Sequence, residues 1–204
     1  MPGSAAAAVK AVDWLISVQT QKGGWPGWVV GVSAEPVTFN TGQILIGLAA
    51  ALRAGHVLAR EPAIRGGDWL LAMQDEDGAW RRGLTQFASP GPKAYETHTG
   101  WGLLVLSEAT GQNRFAEAAL RHADWALGQQ RPNGWFDRCC LTDRLHPLTH
   151  TIGYTVRGLL EAWRVSGEVR FLEGAQRAGA MLARRVEGDG FLPGRLAADW
   201  SAAA

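Results

Sequence analysis

The stretch Trp69-Leu-Leu-Ala-Met-Gln-Asp-Glu-Asp-Gly-Ala-Trp80 decides the fold, because the chain repeats its pattern. Trp14 to Trp25 and Trp125 to Trp135 are two further copies, and Met181 to Phe191 is a diverged fourth copy. The first residues of successive copies lie 55, 56 and 56 positions apart. So regular a period indicates one supersecondary unit stacked on copies of itself. The loop glycines keep the same spacing at Gly23, Gly78, Gly134 and Gly190.

Each unit has two helical halves of different character. The first half, such as 116–130, carries one apolar stripe at helical spacing, whereas the second half, such as 100–109, is apolar most of the way round. A helix with one stripe lies at the periphery and a helix apolar all round is buried. We therefore predict an outer helix, a loop and an inner helix in each unit, without strands. Outer helices are predicted at 5–20, 59–74, 113–130 and 169–186, and inner helices at 39–54, 96–109 and 150–165.

The predicted fold is all-α, with antiparallel helix hairpins forming a partial (α/α) toroid of about 3.5 hairpins. We treat residues 1–204 as one domain that is incomplete at its C-terminal end, since the next inner helix should begin where the chain stops. Repeat stacks need polar capping units. Because the final segment 197–204 is not such a cap, we expect either self-association through the open ends of the arc or instability relative to a longer parent protein.

Glycines mark both the turns and the inner helices. The pairs Asp77-Gly78, Asn133-Gly134 and Asp189-Gly190 each follow an outer helix, as a left-handed turn requires. Gly47, Gly102 and Gly158 recur inside the inner helices, where a glycine costs about 1 kcal/mol against alanine, so we expect close helix–helix approach there. The loops between outer and inner helices span about 15–20 residues, a length that favours a functional role. Their aromatic residues are Trp25, Trp28, Trp80, Phe87 and Trp135.

Composition excludes several classes of partner. The chain is 47% hydrophobic with a net charge of +1, and no basic stripe or bilayer-length apolar run occurs, so neither nucleic acid nor membrane binding is expected. Cys139 and Cys140 are adjacent and predict two free thiols in a reducing, cytoplasmic compartment. There is no phosphate-binding loop, nucleophile elbow or metal-ligand pattern, and we therefore predict no cofactor and no metal.

The repeated Trp-Leu-x-x-x-Gln-x-x-x-Gly-x-Trp phrase resembles the Gln-Trp motif of α/α-toroid proteins, which include terpenoid cyclases and protein prenyltransferases. Three further stretches resemble bacterial (α/α)-barrel sugar enzymes, namely unsaturated glucuronyl hydrolases, N-acylglucosamine and cellobiose epimerases, and six-hairpin glycosidases. They are 39–45, 133–136 and 150–161. The resemblance implies a small-molecule or oligosaccharide substrate in a central cavity. Six hairpins need about twelve helices, whereas seven are predicted here.

Candidate site residues come from columns counted back from the inner-helix glycines. Seven positions earlier lie Asn40, Tyr95 and Thr151; six earlier lie Thr41, Glu96 and Ile152; and four earlier lie Gln43, His98 and Tyr154. Equivalent inner-helix starts share one rim of a toroid, and their free N–H groups favour anions such as uronates or phosphates. The candidate substrate-binding residues are Asn40, Gln43, Trp80, Tyr95, Trp101, Trp135, His146, Tyr154 and Arg157.

Glu96, His98 and His150 are the candidate catalytic residues. Glu96 fits either a general acid or base or a first-turn capping residue. His98 fits either a proton shuttle or a buried histidine bonded to backbone. His150 lies four residues after His146, and the two fit a substrate contact better than a metal site, which lacks a third ligand. Arg157 fits a pair with Glu161 or with a ligand anion.

The loop tryptophans Trp25, Trp80 and Trp135 follow the loop glycines and fit either structural staples or ligand platforms. The acidic turn Asp75-Glu-Asp77 is similar to the acid motif of terpene cyclases but does not match its arrangement, so we interpret it as a solvated turn.

Three functions remain open on the sequence. The first, which is the function that we predict, is a glycoside hydrolase, lyase or epimerase acting on uronic or acylated sugars; the other two are alternatives. The second is a terpenoid cyclase- or prenyltransferase-like isoprenoid-binding protein, in which aromatic rings stabilise cations. The third is a non-catalytic toroid that binds a glycan or a protein. Paired carboxylates about 5–9.5 Å apart indicate a glycosidase, paired histidines across the cavity an epimerase, and an aromatic cavity without carboxylates an isoprenoid.

Overall fold

The structure, a computed structural model, describes residues 4–27, 29, 31–32, 35–186 and 190–203. The described residues contain seven α-helices and no β-strand, only isolated β-bridges. The outer helices are α1 (Ser4–Ser17), α3 (Arg60–Met73), α5 (Asn113–Leu127) and α7 (Val169–Ala183). The inner helices are α2 (Thr38–Arg53), α4 (Thr97–Thr110) and α6 (Thr149–Ser166), and short 3-10 helices cover Val57–Ala59 and Ala94–Glu96. All seven helices agree with the predicted positions, and the fold is a partial α/α toroid.

The helices form two layers, as the apolar patterns predict. α4 is the central inner helix, packed between α2 and α6, and most of its side chains are buried. The outer helices bury one face each, which for α5 consists of small and aromatic side chains such as Phe115, Ala119 and Ala123. No helix in the described part of the chain combines the length and apolarity needed to cross a bilayer.

Close contact between inner helices depends on glycine. A Cβ atom at Gly102 would clash with the Gly42 carbonyl oxygen, and one at Gly42 would lie 2.5 Å from the Thr99 Cα. A Cβ at Gly158 would clash with the Thr97 backbone. The close helix–helix approach that we predict at Gly47 is wrong, because a Cβ atom there would meet nothing within 4 Å. Each column glycine faces the preceding inner helix, and the described residues contain none before α2.

The glutamine of the repeated phrase joins neighbouring repeats. Gln74 Nε2 donates to the Gly78 carbonyl in its own turn (3.0 Å) and to the Ala118 carbonyl on the next outer helix (2.8 Å). Arg121 of that helix donates back to Gln74 Oε1 (2.8 Å). One side chain therefore satisfies two backbone carbonyls of different repeats. Equivalent bonds run from Gln19 to Gly23 and Pro62, and from Gln130 to Gly134 and Gly174.

The tryptophan of the phrase joins the turn to the outer helix of its own repeat. Trp80 is fully buried, and its Nε1 donates to the Leu70 carbonyl of the preceding outer helix (2.9 Å). In the third copy an isolated bridge pairs Gln130 with Phe136, as Gln74 pairs with Trp80. Phe136 is therefore the counterpart of Trp80, and the assignment of Trp135 to that position was wrong. The sequence signal was the distance of six residues from the glutamine.

The glycine turns adopt the predicted backbone, with φ of 86°, 85° and 86° at Gly78, Gly134 and Gly190. Asp189 and the loop residue Trp28 lie outside the described residues. The outer-helix tryptophans differ in burial: Trp69 is buried, whereas Trp14 is 54% exposed because no earlier repeat in the described chain covers it.

The C-terminal segment packs on the third turn, although the sequence analysis predicts that it is not a cap. Trp200 is buried, its ring lies edge-on to Trp135 at 5.3 Å, and its Nε1 donates to the Asn133 carbonyl (3.1 Å). Asn133 Nδ2 in turn donates to the Ala198 carbonyl (2.9 Å). These contacts cover the third turn, because the indole supplies both an apolar face and a donor for a turn carbonyl.

We predict that Gln130→Ala lowers the free energy of unfolding by about 2–4 kcal/mol, because two buried carbonyls lose their donor and Arg177 loses its acceptor. The neighbouring Gln129→Ala is the matched control, since its Nε2 makes only a 3.4 Å bond to the Trp125 carbonyl. Chemical denaturation of both variants checks this prediction. Equal loss of stability in the two variants would contradict it.

Candidate functional site

A cavity of about 250 Å³ opens at the starts of the inner helices. The starts of α2 and α6 and the 3-10 helix before α4 supply six of its lining residues, and the loops supply the others. This is the rim that the sequence columns indicate. The lining residues are Gly27, Phe39, Asn40, Thr85, Phe87, Tyr95, Leu141, His150, Thr151 and Tyr154.

Six rings in contact, which we call the aromatic cluster, lie at this rim: Phe39, Tyr95, His98, Trp101, His150 and Tyr154. Four of them line the cavity, and His98 and Trp101 extend the cluster beyond the lining. Phe39 is at its centre, with ring centroids 5.8 Å from Tyr95, 6.0 Å from His98 and 5.3 Å from Tyr154. Such offset and edge-on pairs are the geometries that aromatic quadrupoles favour. The cavity therefore presents ring faces and edges to a ligand.

The column positions explain which side chains face the cavity. The residues seven positions before the column glycines, Asn40, Tyr95 and Thr151, all line it. The residues six positions before, Thr41, Glu96 and Ile152, are all buried in the protein interior. A step of one residue turns a helix by 100°, which separates the two columns.

Glu96 is therefore not at the cavity surface. It is 1% exposed, and its carboxylate accepts hydrogen bonds from Thr38 Oγ1 (3.0 Å) on α2 and from Thr99 Oγ1 on α4. Burial raises the pKa of Glu96 to about 7, against the opposing effect of the two threonine bonds. Its carboxyl links the inner helices α2 and α4.

His98 lies within the aromatic cluster, beside Tyr154 at 4.6 Å and Trp101 at 5.1 Å. Burial, together with the positive charge of Arg157, lowers the pKa of His98 to about 4. Its imidazole is therefore neutral at neutral pH. Among the described residues its Nδ1 has no hydrogen-bond partner, so the expected backbone bond is not made by this atom.

Several other candidates lie away from the cavity. Trp80 packs in the core against His122 at 4.5 Å, and Trp135 packs against Trp200. His146 Nδ1 contacts Asp143 Oδ2 at 3.2 Å in the loop before α6. Gln43 does not line the cavity either.

Arg157 on α6 and Trp101 on α4 contact each other. The Arg157 guanidinium lies 4.1 Å above the Trp101 ring and pairs with Glu161 at 2.6 Å. The expected internal pair with Glu161 is thus present. Trp101 and Arg157 share a column, one residue before Gly102 and Gly158.

The sequence columns did not identify the loop residues of the cavity. Thr85, Phe87 and Leu141 belong to the long loops before α4 and α6. Loop length and the aromatic Phe87 indicated function, but a loop has no period that predicts where its side chains point. Glu76 and Asp77 of the acidic turn are exposed, as a solvated turn predicts, and Arg81 pairs with Asp75 at 2.8 Å and with Asp77 at 2.6 Å.

Comparison with known proteins now defines the family. The sequence model of the squalene-hopene cyclase C-terminal domain matches residues 2–160. The chain belongs to the squalene-hopene cyclase C-terminal domain family. It is also 39% identical over 80 residues to a squalene–hopene cyclase of Bradyrhizobium diazoefficiens, an alignment that covers 35% of this chain and 11% of that protein. The matched region includes the first three inner-helix starts and the whole aromatic cluster.

Solved structures share the fold of this family member at low sequence identity. Cellobiose 2-epimerase from Bacillus thermoamylovorans superposes with a TM-score of 0.76 at 11% identity, over 100% of this chain and 61% of that one. An unsaturated glucuronyl hydrolase specific for heparin gives 0.73 at 15% identity, over 95% and 55%. The chain thus spans little more than half the length of these structures, and the similarity concerns the toroid fold.

We predict a pH-dependent difference in stability between wild type and Glu96→Gln. The folded-state pKa of Glu96 is about 7, above its ordinary value of 4.5, so the wild type loses stability as pH rises between these values. Glutamine has no charge to bury, and its advantage over glutamate should therefore grow across this window by roughly 2–3 kcal/mol.

Denaturation at about pH 4.5 and pH 8 measures this difference. Taking the variant against wild type at each pH cancels the contribution of the buried His98 and His122, which burial shifts in the opposite sense. A difference that stays constant with pH would contradict the burial of an ionisable Glu96.

Proposed function

We propose that this protein binds an isoprenoid chain in the cavity of the aromatic cluster. The observation that carries the proposal is the composition of the wall: Phe39, Tyr95 and Tyr154 line it, and no carboxylate is among its described lining residues. Aromatic rings offer a large apolar area to a branched hydrocarbon, and their negative faces favour electron-poor centres. Membership of the squalene-hopene cyclase C-terminal domain family supports the same class of ligand.

The proposal concerns binding. Glycoside hydrolysis uses two carboxyl groups about 5–9.5 Å apart across the substrate. Glu96, the carboxyl nearest to the cluster in sequence, is enclosed by Thr38 and Thr99. In the acidic turn at 75–77, Asp75 and Asp77 pair with Arg81, and the turn does not line the cavity. Neither is placed to protonate a ligand in the cavity.

A sugar ligand is the second candidate, and polar atoms at the site favour it. Asn40, Thr85 and His150 contribute polar groups to the cavity lining. In the adjoining column, Gln43 Nε2 and His98 Nδ1 are buried without a hydrogen-bond partner among the described residues. Uronic or acylated sugars carry the hydroxyl and carboxyl groups that such atoms bind. The cytoplasmic location remains a proposal, based on the two free thiols of Cys139 and Cys140.

Tryptophan fluorescence distinguishes the two ligands. We predict that farnesol perturbs the emission of Trp101, which contacts His98 in the cluster, and that Phe39→Ala weakens farnesol binding about tenfold, through the loss of roughly 1–2 kcal/mol of ring contact. Trp14→Ala is the matched control, since it removes an exposed ring on the outer helix α1.

The same titration is run with an unsaturated uronate disaccharide. Saturable binding of the disaccharide that depends on Phe39, together with no response to farnesol, would replace the isoprenoid proposal with the sugar candidate. A Trp101→Phe variant assigns the signal, because it removes one fluorophore and keeps an aromatic ring in the cluster.

A further inference from the structure

A second cavity, of about 410 Å³, is lined by the loops before α4 and α6, which also supply Thr85, Phe87 and Leu141 to the aromatic cavity. Ser89 N donates to the Leu141 carbonyl (2.7 Å), which joins the loop before α4 to the loop before α6. Leu141 lines the aromatic cavity, while its neighbour Cys140 lines the second one. The residues of the second cavity are Pro90, Pro92, Lys93, Gln129, Asp137, Arg138, Cys140 and Arg144.

Three cationic side chains face this second cavity. Lys93 is 2% exposed, and its Nζ donates to Ser89 Oγ (2.8 Å) and lies 3.9 Å from Cys140 Sγ. Among the residues that the structure describes, no carboxylate forms an ion pair with Lys93, Arg138 or Arg144. Burial lowers the pKa of Lys93, because a buried ammonium without an anionic partner is costly, and an anion bound in the cavity would favour the charged form. No carboxylate of the described residues therefore balances these three basic side chains.

The carboxylate at the cavity does not balance these charges. Asp137 pairs with Arg131 at 2.7 Å, through a guanidinium that is not among the lining residues. Arg144 donates to the neutral carbonyl of Pro90 (2.9 Å). The lining of the second cavity therefore carries more positive than negative groups.

The backbone holds Arg138 in an uncommon conformation. Its φ is 60°, in the left-handed region that costs a residue with a Cβ roughly 1–2 kcal/mol. The Arg138 carbonyl accepts a hydrogen bond from Ala94 N (3.0 Å), next to Lys93. This bond fixes the backbone positions of Lys93 and Arg138 relative to one another.

We propose that Lys93, Arg138 and Arg144 form a binding site for a phosphate or diphosphate group. Guanidinium and ammonium groups converging on one cavity match the several oxygens of such an anion. The group comes either from free phosphate or diphosphate, or from the headgroup of a prenyl diphosphate whose chain occupies the aromatic cavity. The second source rests on the proposed isoprenoid function, and the anion site itself does not.

Calorimetric titration with inorganic pyrophosphate tests the site. We expect saturable binding to the wild type, and binding about tenfold weaker or more in Arg138→Gln and in Arg144→Gln, since a charge-assisted hydrogen bond is worth that much. Arg170→Gln is the control, because it removes the same charge at a residue paired with Asp124 and Glu168. Both cavity arginines are exposed, and their variants should fold, as a melting curve confirms.

Two further titrations identify the source. Farnesyl diphosphate that binds more tightly than both pyrophosphate and farnesol, and that is weakened by Phe39→Ala as well as by Arg138→Gln, assigns the site to a headgroup. Equal affinity for pyrophosphate and farnesyl diphosphate assigns it to the free anion.

Failure of farnesol to bind, with Arg138-dependent pyrophosphate binding intact, overturns the isoprenoid proposal and keeps the anion site. The absence of pyrophosphate binding, or equal binding by the wild type and both cavity variants, overturns the anion site.

Discussion

The close contact of the three inner helices is the constraint on which the rest of this structure depends. Gly42 and Gly102 allow α2 and α4 to approach until backbone meets backbone, and Gly158 does the same for α6 against the start of α4. Each helical glycine costs about 1 kcal/mol in propensity. The packing and dispersion contacts of a close-packed interior offset that cost.

That spacing also builds the site. Rings from three successive inner-helix starts can contact one another only if the helices are this close, as Phe39, His98 and Tyr154 do. The glutamine and tryptophan of the repeated phrase act at the outer layer, where the glutamine joins each turn to the next outer helix and the tryptophan joins it to the outer helix of its own repeat. The long loops are thereby anchored at their starts, and their later portions supply Phe87 and Leu141 to the cavity.

The sequence predicted most of the fold because a repeat multiplies every local signal. Seven helices, the turn glycines and the inner-helix rim all followed from one period. Trp135 was misplaced because the third copy has a phenylalanine, Phe136, where the other copies have the loop tryptophan. Only the distance of six residues from Gln130 identifies that position. Gly47 was misinterpreted because a column shared by three repeats need not have a neighbour at the first.

The site was less predictable, for a physical reason. Column counting brought Asn40, Tyr95 and Tyr154 to one rim, yet it treated Glu96 as equivalent to its cavity-facing neighbours. Whether a polar residue at a helix start faces a cavity or the interior depends on a rotation of 100° per residue and on tertiary contacts such as Thr38 and Thr99. The cationic cavity around Lys93 and Arg138 joins two loops distant in sequence, and no repeat signal connects them.

The most direct test of this account compares two glycines of the same column by chemical denaturation. Gly102→Ala should lower the free energy of unfolding by about 2 kcal/mol or more, because its Cβ would meet the Gly42 backbone. Gly47→Ala should leave stability unchanged or raise it by up to about 1 kcal/mol, because its Cβ points into open space and alanine favours the helix. Equal effects of the two substitutions would contradict the claim that inner-helix contact organises the toroid and its site.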